Sequence, residues 1–202
     1  MDEPSWRTLS RGRCFVYLLP CREEDTQKIG FARDPWIRMR AFHPQFFALF
    51  DLQRGALIET DHVNEARAIE ARLKSDFAAE RCVAPLATRA RAGGKHEWFR
   101  GIDSQAMVEM QAMSETLGYL FHTPLAPWFR EAWMKQVAVI RDWSNQQFEW
   151  VESLHFNADP ALAKARAIAL RNQLAGWDAI GIPVQEIFEP RLWRWFVDGF
   201  RD

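Results

Sequence analysis

The sequence predicts an α+β protein: a small mixed domain with a three-stranded antiparallel sheet flanked by helices, followed by an all-helical region. Three observations carry this. Residues 13–60 set short β-forming runs between turn residues. Residues 61–82 hold apolar side chains at 66, 69, 73 and 77, the spacing of one helix face. Beyond about residue 102 every long segment reads as helix, and seven of the ten tryptophans lie there. That shift divides the chain into a mixed domain, 1–102, and a tryptophan-rich helical region, 103–202.

The elements follow in order. "RCFVYLLP" (13–20) is an apolar run of β-formers stopped by Pro20, the pattern of a buried strand. "CREEDT" is a charged turn, and "QKIGFA" (27–32) returns as the second strand of a hairpin. Asp34 and Pro35 have the chemistry of an N-cap and a first helical residue, opening a helix that His43-Pro44 ends. "FFALFDLQRGALIET" (46–60) reads as a third strand kinked near Gly55, and Asp61 precedes the helix over 62–82. "VAPLATRARAGGK" is a loop with a basic tip, and "HEWF" (96–99) is a short strand. "SQAMVEMQAMSETLGYLF" reads as one helix, "TPLAP" breaks it, and 128–154 reads as one long helix. An Asp-Pro start at 159–160 opens a further helix ending near Gly176 or Gly181, and "PRLWRWFVDGF" is a short aromatic helix.

Bulk properties narrow the function classes. A hydrophobic fraction of 48% and a charged fraction of 26% suit a globular chain with a substantial core. The net charge is −1, with Lys and Arg in excess before residue 102 and Asp and Glu in excess after it. An anionic partner is therefore expected at the first half. Three cysteines without a C-x-x-C pair fit a reducing, cytoplasmic setting. No run approaches the length of a membrane span. No histidine or cysteine pair has zinc-ligand spacing, and "RARAGGK" lacks the first glycine and the Ser/Thr of a phosphate loop.

Four residues stand out by order and spacing: Tyr17 in Phe15-Val16-Tyr17, Lys28 opening Lys28-Ile29-Gly30, Arg38 on the following helix, and Glu70 in the middle of the helix over 62–82. With them, residues 13–101 resemble a GIY-YIG nuclease domain. "EARAIEARLKSDF" followed by "HEWF" resembles the phage- and bacterial-type subgroup whose second motif is K-I-G. The pattern departs at Phe15, where the family has glycine, at Lys28, where it has tyrosine, and at its late asparagine, for which Glu97 is the nearest stand-in. The resemblance implies a metal-dependent endonuclease cutting phosphodiester bonds in DNA rather than RNA. Tyr17 would be the general base, Arg38 would hold the phosphate, Lys28 would complete the catalytic set, and Glu70 would bind Mg²⁺ or Mn²⁺.

The chemistry agrees. Cutting a phosphodiester needs an activated water and cations at the phosphate. A carboxylate on a rigid helix holds Mg²⁺ with waters and phosphate oxygens completing the shell, and arginine grips a phosphate oxygen. Tyrosine, with a pKa near 10, becomes a base only if a nearby cation, Lys28 or the metal, lowers it. Arg40, His43, Arg89, Arg91 and Lys95 are the candidate contacts to a nucleic-acid backbone.

Each residue also has an ordinary reading. Tyr17 suits a core aromatic, Glu70 and Lys74 suit an i,i+4 ion pair, and the C-terminal tryptophans suit a core. Two rivals stand beside the nuclease: a nuclease-like module that binds nucleic acid without cutting, and a protein that forms a homodimer or holds a protein partner through its aromatic helical half.

Overall fold

The computed structural model describes residues 12–88, 94, 97–156 and 160–199. The described residues form two compact units, one ending at Trp128 and one beginning at Phe129. The division falls later than the residue 102 expected from composition, because a helix and a strand beyond that point pack on the sheet of the first unit.

The first unit is built on a five-stranded antiparallel sheet rather than three strands. Its strands are β1 (Cys14–Pro20), β2 (Thr26–Ala32), β3 (Ala56–Thr60), β4 (Trp98–Arg100) and β5 (Leu120–His122), in spatial order β4-β2-β1-β3-β5. The central β1 is buried along its whole length, which explains its unbroken apolar run. Register places Tyr17 opposite Gly30 and Leu57, and Lys28 opposite Leu19 and Trp98.

Alternation then fixes what each face holds. Val16, Leu18, Ile29, Ile58 and Phe99 face one layer, made by α3 (Val63–Asp76) through Ala66, Ile69 and Leu73 and by α4 (Asp103–Leu117) through Ala106, Met110 and Met113. The opposite face carries Tyr17, Lys28 and Trp98 beneath the aromatic side chains of α1 (Pro35–Phe42) and α2 (Phe46–Leu49). Burying such large apolar side chains stabilises by roughly 1.5–3 kcal/mol each.

The helix expected at Asp34-Pro35 is α1, with Asp34 Oδ1 accepting from the Ile37 N–H at 2.9 Å. Three segments differ from expectation. Residues 46–60 are not one strand: Phe46–Leu49 is a helical turn, a second turn follows, and only Ala56–Thr60 joins the sheet. The helix expected through Phe121 stops at Leu117, where Gly118 adopts a left-handed φ of 75° and frees 120–122 to pair with β3. The long helix expected over 128–154 is two, α5 (Leu125–Met134) and α6 (Val137–Phe156), although neither glycine nor proline marks the break.

The second unit adds α7 (Pro160–Ala179), α8 (Val184–Ile187) and α9 (Pro190–Asp198). Trp133, Trp143 and Trp177 form an edge-on cluster within it, with ring centroids 5.7 and 5.9 Å apart. The aromatic excess there is mostly core; Trp150 is 48% exposed, with the Arg166 guanidinium over its ring. No described helix is long and apolar enough to cross a membrane.

Candidate active site

Tyr17, Lys28, Arg38 and Glu70 come from four different elements, β1, β2, α1 and α3, and the fold gathers them around Glu97. Lys28 starts the network. It is 0% exposed, its Nζ sits 4.7 Å from the Phe42 ring centroid and 4.9 Å from that of Trp98, and it donates to Glu97 Oε2 at 2.7 Å. The other Glu97 oxygen, Oε1, accepts from Lys74 Nζ at 3.1 Å, and Lys74 also pairs with Glu70 Oε1 at 2.7 Å. A chain of alternating charges, Lys28–Glu97–Lys74–Glu70, therefore links the sheet to α3.

Glu97 is positioned by backbone as well as by its side chain. It precedes β4, and its carbonyl accepts from the Ile29 N–H at 3.1 Å. Lys74 and Glu70 share one helix face, so the expected i,i+4 pair is present. The additional reach of Lys74 to Glu97 crosses 23 residues of sequence, and nothing in local spacing announces it.

Tyr17 is 1% exposed, with its ring edge-on to Phe42 at 6.3 Å and its hydroxyl over Gly30. The Arg38 guanidinium lies close enough to favour the ionised form of that hydroxyl and stands 4.8 Å from the Phe42 ring centroid. The expectation that a nearby cation lowers the Tyr17 pKa is reversed. Burial pushes the phenol well above its ordinary value, and the Glu97 and Glu70 charges add to the rise. Arg38 opposes this without overcoming it, while Lys28 has Glu97 as its partner.

The other charges follow the same logic. Burial lowers the Lys28 pKa, even with Glu97 against it. Burial raises the Glu97 carboxyl, but Lys28 and then Lys74 more than offset this and hold it below its ordinary value. Three cations, Lys28, Arg38 and Lys74, face two carboxylates, so the cluster carries one net positive charge.

Comparison with family models, with curated proteins and with solved structures finds no match to this chain.

The backbone-contact candidates fare unequally. Arg40 is half-buried, and burial lowers its guanidinium pKa, which places it partly in the protein rather than free on its surface. His43 ends α1, and its Nδ1 accepts from the Gln45 N–H at 3.1 Å, a local structural task. Arg89, Arg91 and Lys95 lie outside the described residues.

A second polar group on the same sheet face escaped sequence analysis. Glu59 on β3 pairs with Arg13 and accepts from His122 Nε2 at 2.7 Å, and the His122 ring lies 4.9 Å from Trp128. It was hidden because β5 reads as the end of a helix.

Among the described residues no three His, Cys, Asp or Glu side chains gather as a metal site. Glu70 and Glu97 nevertheless supply hard oxygen donors, and both point at one cation, the Lys74 ammonium. That chemistry fits Mg²⁺ held by one or two carboxylates, with water and phosphate oxygens completing its shell.

Proposed function

We propose that the chain is a GIY-YIG-type endonuclease that hydrolyses phosphodiester bonds in DNA. One observation supports this above the rest: Tyr17, Lys28, Arg38 and Glu70, far apart in sequence and on separate elements, share one charge network. The net positive charge of the network suits a phosphate anion.

In this reading Arg38 grips a non-bridging phosphate oxygen from its partly buried place on α1. Glu70, with Glu97 beside it, would hold Mg²⁺ or Mn²⁺, which when bound neutralises phosphate charge and makes water more acidic. Tyr17 takes the proton of the attacking water as its oxygen bonds phosphorus and the P–O bond to the leaving oxygen breaks. Only the phenolate can do so; the nearby Arg38 charge favours that form, against the burial that opposes it. Lys28 anchors Glu97 from inside the protein.

The test is plasmid nicking with Mg²⁺ or Mn²⁺, beside an EDTA control and Glu70→Ala. Metal-dependent cutting that the variant lacks is the expected result. Equal cutting by Glu70→Ala overturns the role of Glu70.

A second reading draws on the raised Tyr17 pKa and on carboxylates already paired with lysines: a nuclease-like module that binds DNA without cutting. It predicts salt-dependent binding and no product at any metal concentration.

A further inference from the structure

We propose that Lys74 is the resident cation of this site: a tethered ammonium, bonded to both Glu70 and Glu97, that a divalent metal must displace in order to bind. The proposal rests on Glu70 being the metal carboxylate, as in the function proposed above.

The geometry distinguishes the two lysines on Glu97. Lys28 has no exposed surface and is enclosed by the Phe42 and Trp98 rings, so it has no path away from Glu97 Oε2. Lys74 lies on the solvent side, 17% exposed, beside Glu70 at 14% and Glu97 at 24%. Its long, flexible stem lets the ammonium swing into water, where it is fully hydrated. One lysine is thus a fixture and the other is exchangeable.

Charge requires the exchange. With Lys74 in place the two carboxylates are already matched by two ammonium groups, and Arg38 adds a third cation. A divalent ion added to this set would meet an ammonium at contact distance in a partly desolvated site, where like charges repel far more than in water. With Lys74 turned out, the ion inherits two oxygen ligands that are already oriented. The ammonium thus keeps Glu70 and Glu97 aligned while no metal is present, and it raises the metal concentration needed to fill the site.

The experiment measures Mn²⁺ binding to the full chain by electron paramagnetic resonance and by titration calorimetry. Lys74→Met removes the charge and keeps the stem, while Lys74→Arg keeps the charge. Circular dichroism and thermal melting of each variant check the fold. Lys74→Met is expected to bind Mn²⁺ roughly ten-fold or more tighter than wild type, as removing a like charge at this range implies. Lys74→Arg is expected to stay near wild type, and Lys74→Met/Glu70→Gln to lose the gain. Equal affinity in wild type and Lys74→Met, binding by neither, or a gain that survives Glu70→Gln overturns the exchange. Nicking separates the two proposals. Tighter Mn²⁺ binding without DNA cutting sinks the nuclease and keeps the exchange; Mg²⁺-dependent cutting at unchanged Mn²⁺ affinity does the reverse.

Discussion

Gly30 lies directly opposite Tyr17 on the β1–β2 ladder, and the tyrosine side chain crosses over it so closely that a Cβ at position 30 would stand 2.6 Å from Tyr17 Cζ. The glycine of Lys28-Ile29-Gly30 is therefore a space requirement. It lets the hydroxyl lie against the neighbouring strand, within reach of Arg38.

Gly30→Ala should push the Tyr17 ring out of place. The overlap involves ring and hydroxyl atoms packed against Phe42, so a loss of about 1–3 kcal/mol is expected from overpacking. Urea unfolding measures it, and a midpoint equal to wild type would show that the strand does not hold the ring there.

Glu97→Gln should be among the most damaging single changes in the first unit. It leaves the fully buried Lys28 ammonium without its counter-charge, an arrangement that costs about 3–5 kcal/mol. Lys28→Met/Glu97→Gln should recover most of the loss, because no charge is then stranded. A double variant as unstable as Glu97→Gln alone would contradict the pairing.

Glu59 predicts an acid dependence. Burial raises its carboxyl, yet His122 and Arg13 more than offset this, and the folded pKa lies below the ordinary 4.5. A depressed carboxylate pKa contributes stability that is fully present above the unfolded value and is lost as pH falls through the folded one. The stability difference between wild type and Glu59→Gln should therefore shrink as pH falls below about 4.5. Denaturation midpoints at a series of pH values test this, and a difference independent of pH down to the acid limit refutes it.

Arg38→Ala should separate activity from folding. Arg38 is only partly buried, so the stability change should stay within about 1 kcal/mol. Nicking should fall by roughly 100-fold or more if Arg38 stabilises charge on the phosphate. Tyr17→Phe removes the proposed base while keeping the ring that packs on Phe42. Wild-type rates from Tyr17→Phe would end its role as base.

Local chemistry was legible in the sequence. The unbroken apolar run of Phe15–Leu19, the Asp34-Pro35 start and the face carrying Ala66, Ile69 and Leu73 each depend on near neighbours, and each became the expected element. The order of Tyr17, Lys28, Arg38 and Glu70 along these elements was legible for the same reason. What only the tertiary structure decided depends on partners distant in sequence. β5 exists because β3 offers it a ladder, and α4 ends at Gly118 to allow it. Glu97 becomes the centre of the site because Lys28, 69 positions away, and Lys74, 23 away, converge on its two oxygens. The Tyr17 pKa rises because seven-residue burial of β1 and two carboxylates from elsewhere outweigh one arginine. Hydrogen-bond ladders and electrostatic sums act through space, and residue spacing along the chain does not encode them.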